Sequence, residues 1–176
     1  VEEAPVHTVA LIGLGEVGTV LAQDIGRQAS IRAWDVAFAD PDSQASRNAR
    51  TLGIRPAPDA VTAVRDADLV ISAVTAANAV SAARSVAGGI ATAWFLDLNS
   101  AAPGRKQAAA DVIEQAAGRY VEAAVMAPIT PKRLAVPILL GGPHAKDFAD
   151  FAVSLGFTGL QPYADAIGPA SATKLC

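Results

Sequence analysis

The stretch TVALIGLGEVGTVLAQDI, Thr8 to Ile25, decides the fold. An apolar run ends in three glycines, Gly13, Gly15 and Gly18, and a helical pattern begins among them. A G-x-G-x-x-G spacing acquires a mechanism only in this setting, with a strand before it and a helix after it. The first glycine makes a tight turn, the second lets a pyrophosphate approach bare backbone, and the third lets helix and strand pack closely. The helix start then offers free N–H groups and a partial positive charge to the phosphates. The candidate phosphate loop is therefore Gly13, Leu14, Gly15, Glu16, Val17 and Gly18. A carboxylate suits a helix N-terminus but not a neighbouring pyrophosphate, so the Glu16 side chain is expected to point to solvent.

Such a loop predicts an acidic residue about 20 positions on, at the end of the second strand. Asp35, closing IRAWD (31–35), stands there. Its carboxylate can accept hydrogen bonds from an adenosine ribose and would repel a 2′-phosphate, which favours NAD over NADP. Arg47 and Arg50 lie a little further on and are close enough in sequence to face the same ribose.

Working outward, short apolar runs alternate with helical patterns. The strand candidates are 8–13, 31–35, 69–74, 94–99, 120–125, 136–142 and 158–163, and the helical patterns are 17–29, 44–53, 60–67, 77–88, 104–118 and 143–155. Pro103 suits a first helical turn and Gly118 a helix end. This alternation implies right-handed βαβ crossovers and an α/β, Rossmann-type, doubly wound, mostly parallel sheet with helices on both faces. From Tyr120 onward the helices thin out, and the sequence reads as two strands joined by a proline-marked loop. In sheets of this kind ligands lie across the carboxyl ends of the strands. VTAAN (74–78) and LNSAAP (98–103) should therefore border a nicotinamide, which makes Val74, Thr75, Ala76 and Asn99 candidate cofactor contacts.

Composition narrows the class. Of 176 residues 52% are hydrophobic but only 5% aromatic, so the core must be aliphatic. A net charge of -3 without charge runs gives no reason to expect nucleic acid or an anionic membrane. The start VEEAPVH is acidic where a secretory signal would be basic, and the apolar run behind it is far short of the roughly 20 residues a bilayer span needs. A soluble cytoplasmic protein is the expectation. One cysteine, Cys176, and two distant histidines, His7 and His144, offer no metal-ligand spacing, so no metal site is expected.

Three segments together resemble the superfamily of 6-phosphogluconate dehydrogenase and 3-hydroxyisobutyrate (β-hydroxyacid) dehydrogenase. IGLGEVG is similar to that family's GLGxMG, DLNSAAP (97–103) to its D-x-[ST]-[ST]-x-x-P segment, and GPASATK (168–174) to its G-x-G-x-x-x-K. Order and separations match, and the likeness covers nearly the whole chain. It implies a catalytic lysine at Lys174 and substrate contacts at Ser100, Lys174 and Ala127. It also implies NAD(P) as cofactor and hydride transfer between nicotinamide and a small hydroxy-acid-like substrate. The resemblance further implies a Rossmann domain over 1–168, an interdomain helix starting at 169–176, and a C-terminal all-helical domain, absent from this chain, that would build a homodimer. One departure matters: the family's D-A-P-V-S-G-G, whose Ser-Gly-Gly binds the substrate carboxylate, is replaced by EAAVMAP (122–128), with Lys132 and Arg133 nearby as substitute anion contacts. Competing readings are a non-catalytic nucleotide-sensing module, an imine reductase of the same superfamily, and a methyltransferase with a similar glycine loop. The intact third glycine and the later segments count against the last.

Overall fold

The computed structural model describes residues 6–176. Seven strands form one sheet: β1 (His7–Ile12), β2 (Ala29–Trp34), β3 (Leu69–Ser72), β4 (Trp94–Asp97), β5 (Arg119–Val125), β6 (Ile138–Gly141) and β7 (Leu160–Ala164). Their order is β2-β1-β3-β4-β5-β6-β7, with the first five parallel. Helices α1 (Glu16–Ile25), α2 (Gln44–Leu52), α3 (Ala60–Val64), α4 (Ala79–Val86) and α5 (Pro103–Gln115) make the crossovers; α6 (Ile129–Lys132), α7 (Ala145–Val153) and α8 (Pro169–Leu175) follow. The fold is a Rossmann-type α/β sheet, as the alternation of patterns predicts.

The period of two along each strand feeds two cores. Val9, Leu11, Leu69, Ile71 and Leu96 face Leu21, Ile25, Phe148 and Leu155 on one side. Ala10, Ile12, Val70 and Phe95 face Val64, Val86 and Ile113 on the other. All four residues of β3 and of β4 are buried, the pattern of strands covered on both faces.

Three expectations need correction. Strands β3 and β4 stop two residues early, leaving Ala73–Val74 and Leu98–Asn99 as loop at the strand ends. The two late strands are joined not by a plain loop but by α6 and a 3₁₀ turn, Arg133–Ala135, and β6 runs antiparallel to β5. The physical reason is that so short a link has no helix long enough to carry the chain back along the sheet, so it returns from the same end. At the end of α5, Ala117 rather than Gly118 takes the left-handed conformation, with φ 70°. Gly118 is needed for space instead, since a Cβ there would lie 2.8 Å from the Ile113 side chain. Among the described residues no helix is long and apolar enough to cross a membrane, and no group of three or more His, Cys, Asp or Glu gathers to hold a metal.

Candidate functional site

The glycine loop joins β1 to α1 at the carboxyl end of the sheet, and each glycine there meets a different constraint. Gly13 has φ +96°, and a Cβ on it would lie 2.2 Å from the Ala73 carbonyl oxygen, so it serves both the turn and the approach of the chain after β3. A Cβ on Gly18 would lie 2.2 Å from the Gly13 carbonyl oxygen, which is where α1 presses on the strand end. Gly15, the N-cap of α1, has no atom within 4 Å of its Cβ position. The N–H groups of Gly13 and Leu14 are already taken, by the Trp34 carbonyl at 2.9 Å and by Asp35 Oδ2 at 2.8 Å. What remains for an anion is the open cradle over Gly15 and the first turn of α1, whose N–H groups have no intrahelical acceptor.

Beside that cradle lies a cavity of about 520 Å³, walled by Gly13, Gly15, Trp34, Asp35, Val74 and Thr75 and by the small residues Ser81, Ala82 and Ser85 of α4. Asp35 follows β2 and is fixed by accepting two main-chain N–H bonds, from Leu14 and from Ala37, both 2.8 Å. A carboxylate has about four acceptor positions, so two such bonds orient it and still leave capacity for ribose hydroxyls. Arg47 and Arg50 do not line this cavity. Arg47 binds the Asp42 carbonyl and Gln44, and Arg50 donates to the Pro41 carbonyl at 2.9 Å. The open cradle, the oriented acid and the small-residue wall fit a dinucleotide.

The other candidates separate by role. The Leu14 side chain is fully buried in the core and its N–H is held by Asp35, so it shapes the loop rather than facing the cavity. Glu16 is exposed as expected, but it does not simply point to solvent: its Oε1 accepts from Thr130 Oγ1 at 2.7 Å. Ala76 lies outside the cavity, its carbonyl accepting from Arg105 at 3.2 Å. Asn99 is buried and works through its neighbours, accepting from the Val74 N–H at 2.7 Å and donating to Ser72 Oγ at 2.9 Å. It thereby sets the loop that lines the cavity.

Val17 belongs to a second cavity, of about 430 Å³, shared with Ser100, Ala127 and Lys174. Lys174, on α8, donates from Nζ to Ser100 Oγ at 2.8 Å. Partial burial lowers its pKa below the ordinary lysine value by disfavouring the ammonium. Sequence positions 74 apart thus meet in one polar pair within this hollow. Arg133 is not a substitute anion contact: its guanidinium is bound to Asp24 at 2.8 and 3.0 Å and to Gln23. Lys132 does not line the hollow either.

Sequence reading missed the buried polar set behind this pair. Glu122, at 0% exposure on β5, accepts from the N–H groups of Gly168 at 2.7 Å and Ser171 at 2.8 Å, and so caps the start of α8. Opposite it, Gly141 leaves room, because a Cβ there would lie 2.4 Å from Glu122 Oε2. Lys106, 1% exposed, donates to Asp97 Oδ1 at 3.1 Å and to the carbonyls of Asp97 and Ala123. Burial lowers the Lys106 pKa, opposed by the charges of Asp97 and Glu122. Tyr120 donates to Asp97 Oδ2 at 2.6 Å, and burial beside that carboxylate pushes its pKa well above the ordinary value. The signal was present: a glutamate inside the apolar run YVEAAV has no reason to be there unless something across the fold needs it.

Comparison with known proteins gives a consistent picture. A search of the curated proteins found no match. Among solved structures, a conserved hypothetical protein from Sinorhizobium meliloti 1021 is 36% identical with a TM-score of 0.87, over 98% of this chain and 58% of that one. The 3-hydroxyisobutyrate dehydrogenase of Mycobacterium tuberculosis shares the fold at 20% identity and TM-score 0.83, over 98% of this chain and 59% of the other. An imine reductase variant from Myxococcus stipitatus, solved with NAD+, shares it at 19% identity and TM-score 0.79, over 96% and 58%. The chain thus spans about three fifths of the length of these structures. The sequence profile of the NAD binding domain of 6-phosphogluconate dehydrogenase matches residues 8–151, and the chain belongs to that family of NAD(P)-binding domains.

Proposed function

We propose that this chain is the cofactor-binding part of an NAD(P)-dependent oxidoreductase that moves a hydride between nicotinamide and a hydroxyl- or carbonyl-bearing carbon, with Lys174 handling the proton. Residues 1–168 form the binding domain and 169–176 begin the connection to a further domain. The observation that carries this reading is the Lys174–Ser100 pair, 2.8 Å apart, in a hollow lined by Val17 of α1, two residues from the Gly15 that lines the dinucleotide cavity.

The bound nicotinamide supplies or accepts the hydride. Everything else is work for the chain's own residues. Gly15 and the first turn of α1 hold the pyrophosphate, and Asp35 receives the ribose hydroxyls. Asn99 keeps the Val74–Thr75 loop in place on the cavity wall. Ser100 and Lys174 bracket the substrate oxygen. A lysine moves protons best when its pKa is drawn down towards the operating pH, and partial burial shifts Lys174 in that direction.

Trp34 lines the cavity, so its fluorescence reports occupancy. The expected result is saturable binding of NADH, weaker binding of NADPH, and a smaller difference between them in Asp35→Ala. Lys174→Met should leave NADH affinity within about twofold while abolishing NADH-dependent reduction of a bound carbonyl compound. Failure of both dinucleotides to bind refutes the reading.

A further inference from the structure

Glu16 stands where a carboxylate competes with the cofactor, and the fold holds it aside. We propose that Thr130 is a positioning residue for dinucleotide binding: its hydroxyl draws the Glu16 carboxylate off the first turn of α1 and so keeps that turn free for the pyrophosphate. This inference rests on the dinucleotide reading of the glycine loop and deepens it.

Glu16 directly follows Gly15, the N-cap of α1, and is the acidic residue of that helix's first turn. A helix start attracts anions through its free N–H groups and its partial positive charge. That attraction does not distinguish a pyrophosphate from a carboxylate carried by the helix itself. A glutamate free to rotate at this position is therefore an anion competing from within the chain, and wherever it does not occupy the turn it still repels a second anion there. In the structure it is diverted: Glu16 Oε1 accepts from Thr130 Oγ1 at 2.7 Å, across 114 positions of sequence.

Thr130 can hold the carboxylate because its own place is fixed. It lies on α6 between Ile129, which is buried in the core, and Pro131, whose ring sets its own φ. Further along the same segment Arg133 grips Asp24 with two hydrogen bonds, of 2.8 and 3.0 Å. Its backbone stands at φ 53°, a conformation that a non-glycine residue holds only when its surroundings impose it. Glu16 opens α1 and Asp24 is its last residue but one, so the two attachments are about 12 Å apart along the helix axis. The segment is thus tied near both ends of α1, and it cannot swing Thr130 away from the helix start without straining the charged, two-pronged pair at the other end.

The test reads NADH affinity from Trp34 fluorescence in the wild-type chain, Thr130→Val, Thr130→Ser, Glu16→Gln and the double variant Thr130→Val/Glu16→Gln. Valine keeps the shape of threonine and loses the hydroxyl. NADH should then bind about fivefold more weakly at low ionic strength, the scale of a unit charge let within about 5 Å of a pyrophosphate at a wet surface. Serine keeps the hydroxyl and should bind NADH as the wild type does. Removing the Glu16 charge should erase the valine loss, so that the double variant binds at least as tightly as wild type. The loss should also fade at about 0.5 M salt, where exposed charges are screened over about 4 Å. A merely structural role for Thr130 would leave the loss independent of the Glu16 charge and of salt. Wild-type affinity in Thr130→Val, or a loss that persists in the double variant or in high salt, overturns this inference and leaves the dinucleotide reading standing. Absence of dinucleotide binding by the wild-type chain overturns both.

Discussion

Two glycines three residues apart should respond to the same substitution in opposite ways. At Gly18 the added Cβ lies 2.2 Å from the Gly13 carbonyl oxygen. That oxygen cannot retreat, because Gly13 is fixed at φ +96° and its N–H is held by Trp34. Gly18→Ala therefore sits at the upper end of overpacking, about 3 kcal/mol. The gain in helix propensity returns about 1 kcal/mol. The net loss is about 2 kcal/mol, or roughly 1 M in the urea midpoint for a domain of this size. At Gly15 no atom lies within 4 Å of the new methyl, and the backbone is extended, so stability should change by less than about 1 kcal/mol. The methyl would nevertheless stand where the pyrophosphate must approach, and NADH affinity should fall at least about a hundredfold. Urea melts at constant m, set beside NADH titrations of both variants, test the pair. A Gly15→Ala protein that binds NADH as well as wild type, or a Gly18→Ala protein as stable as wild type, refutes the separation of binding from packing.

Glu122→Gln leaves one acceptor for two N–H donors and aims an amide at one of them, which should cost about 1–3 kcal/mol at the start of α8. Hydrogen exchange of the Gly168 and Ser171 amides should accelerate strongly while that of β1 does not; unchanged exchange would show that the carboxylate does not hold the helix. Lys106→Met strips the buried Asp97 of its ammonium and should destabilise by about 3–5 kcal/mol, read as a shift of the denaturant midpoint. Tyr120 keeps its proton in the fold beyond the ordinary tyrosine value of about 10, whereas the unfolded chain releases it there. Its contribution is thus fully present below pH of about 10 and is lost as the pH rises above it. Tyr120→Phe should flatten that alkaline fall and lose about 1.5–3 kcal/mol at neutral pH.

The glycine loop was legible because all of its causes are local. A strand, three glycines and a helix follow one another in eighteen residues, and each glycine's function depends on neighbours fixed by that order. Its neighbour Asp35 was legible for the same reason, since it directly follows the strand paired with β1. What the reading missed depends on register. Whether a carboxylate in β5 faces Gly141 is settled by the antiparallel pairing of β5 with β6, and β6 turns back because its short connection cannot cross over. The Arg133–Asp24 pair was hidden likewise, joining residues 109 apart through a loop whose course the sequence does not mark.

Two deficits in the sequence were nonetheless complementary. The start of α8, GPAS, has glycine at the N-cap, and no side chain of its own caps it. Local rules look for a capping oxygen within about three residues and find none there. In YVEAAV, meanwhile, a carboxylate stands in a strand whose neighbours are all apolar, where an unpaired charge would be prohibitive. A helix start lacking an acceptor and a buried acceptor lacking donors each imply a partner elsewhere. The fold supplies each to the other across 46 residues in Glu122 and Gly168, and the helix so anchored is the one that carries Lys174. The acid at the head of EAAVMAP is thus an element of the lysine's placement, even though the rest of that segment has lost the polar groups the related enzymes' sequence pattern would put there.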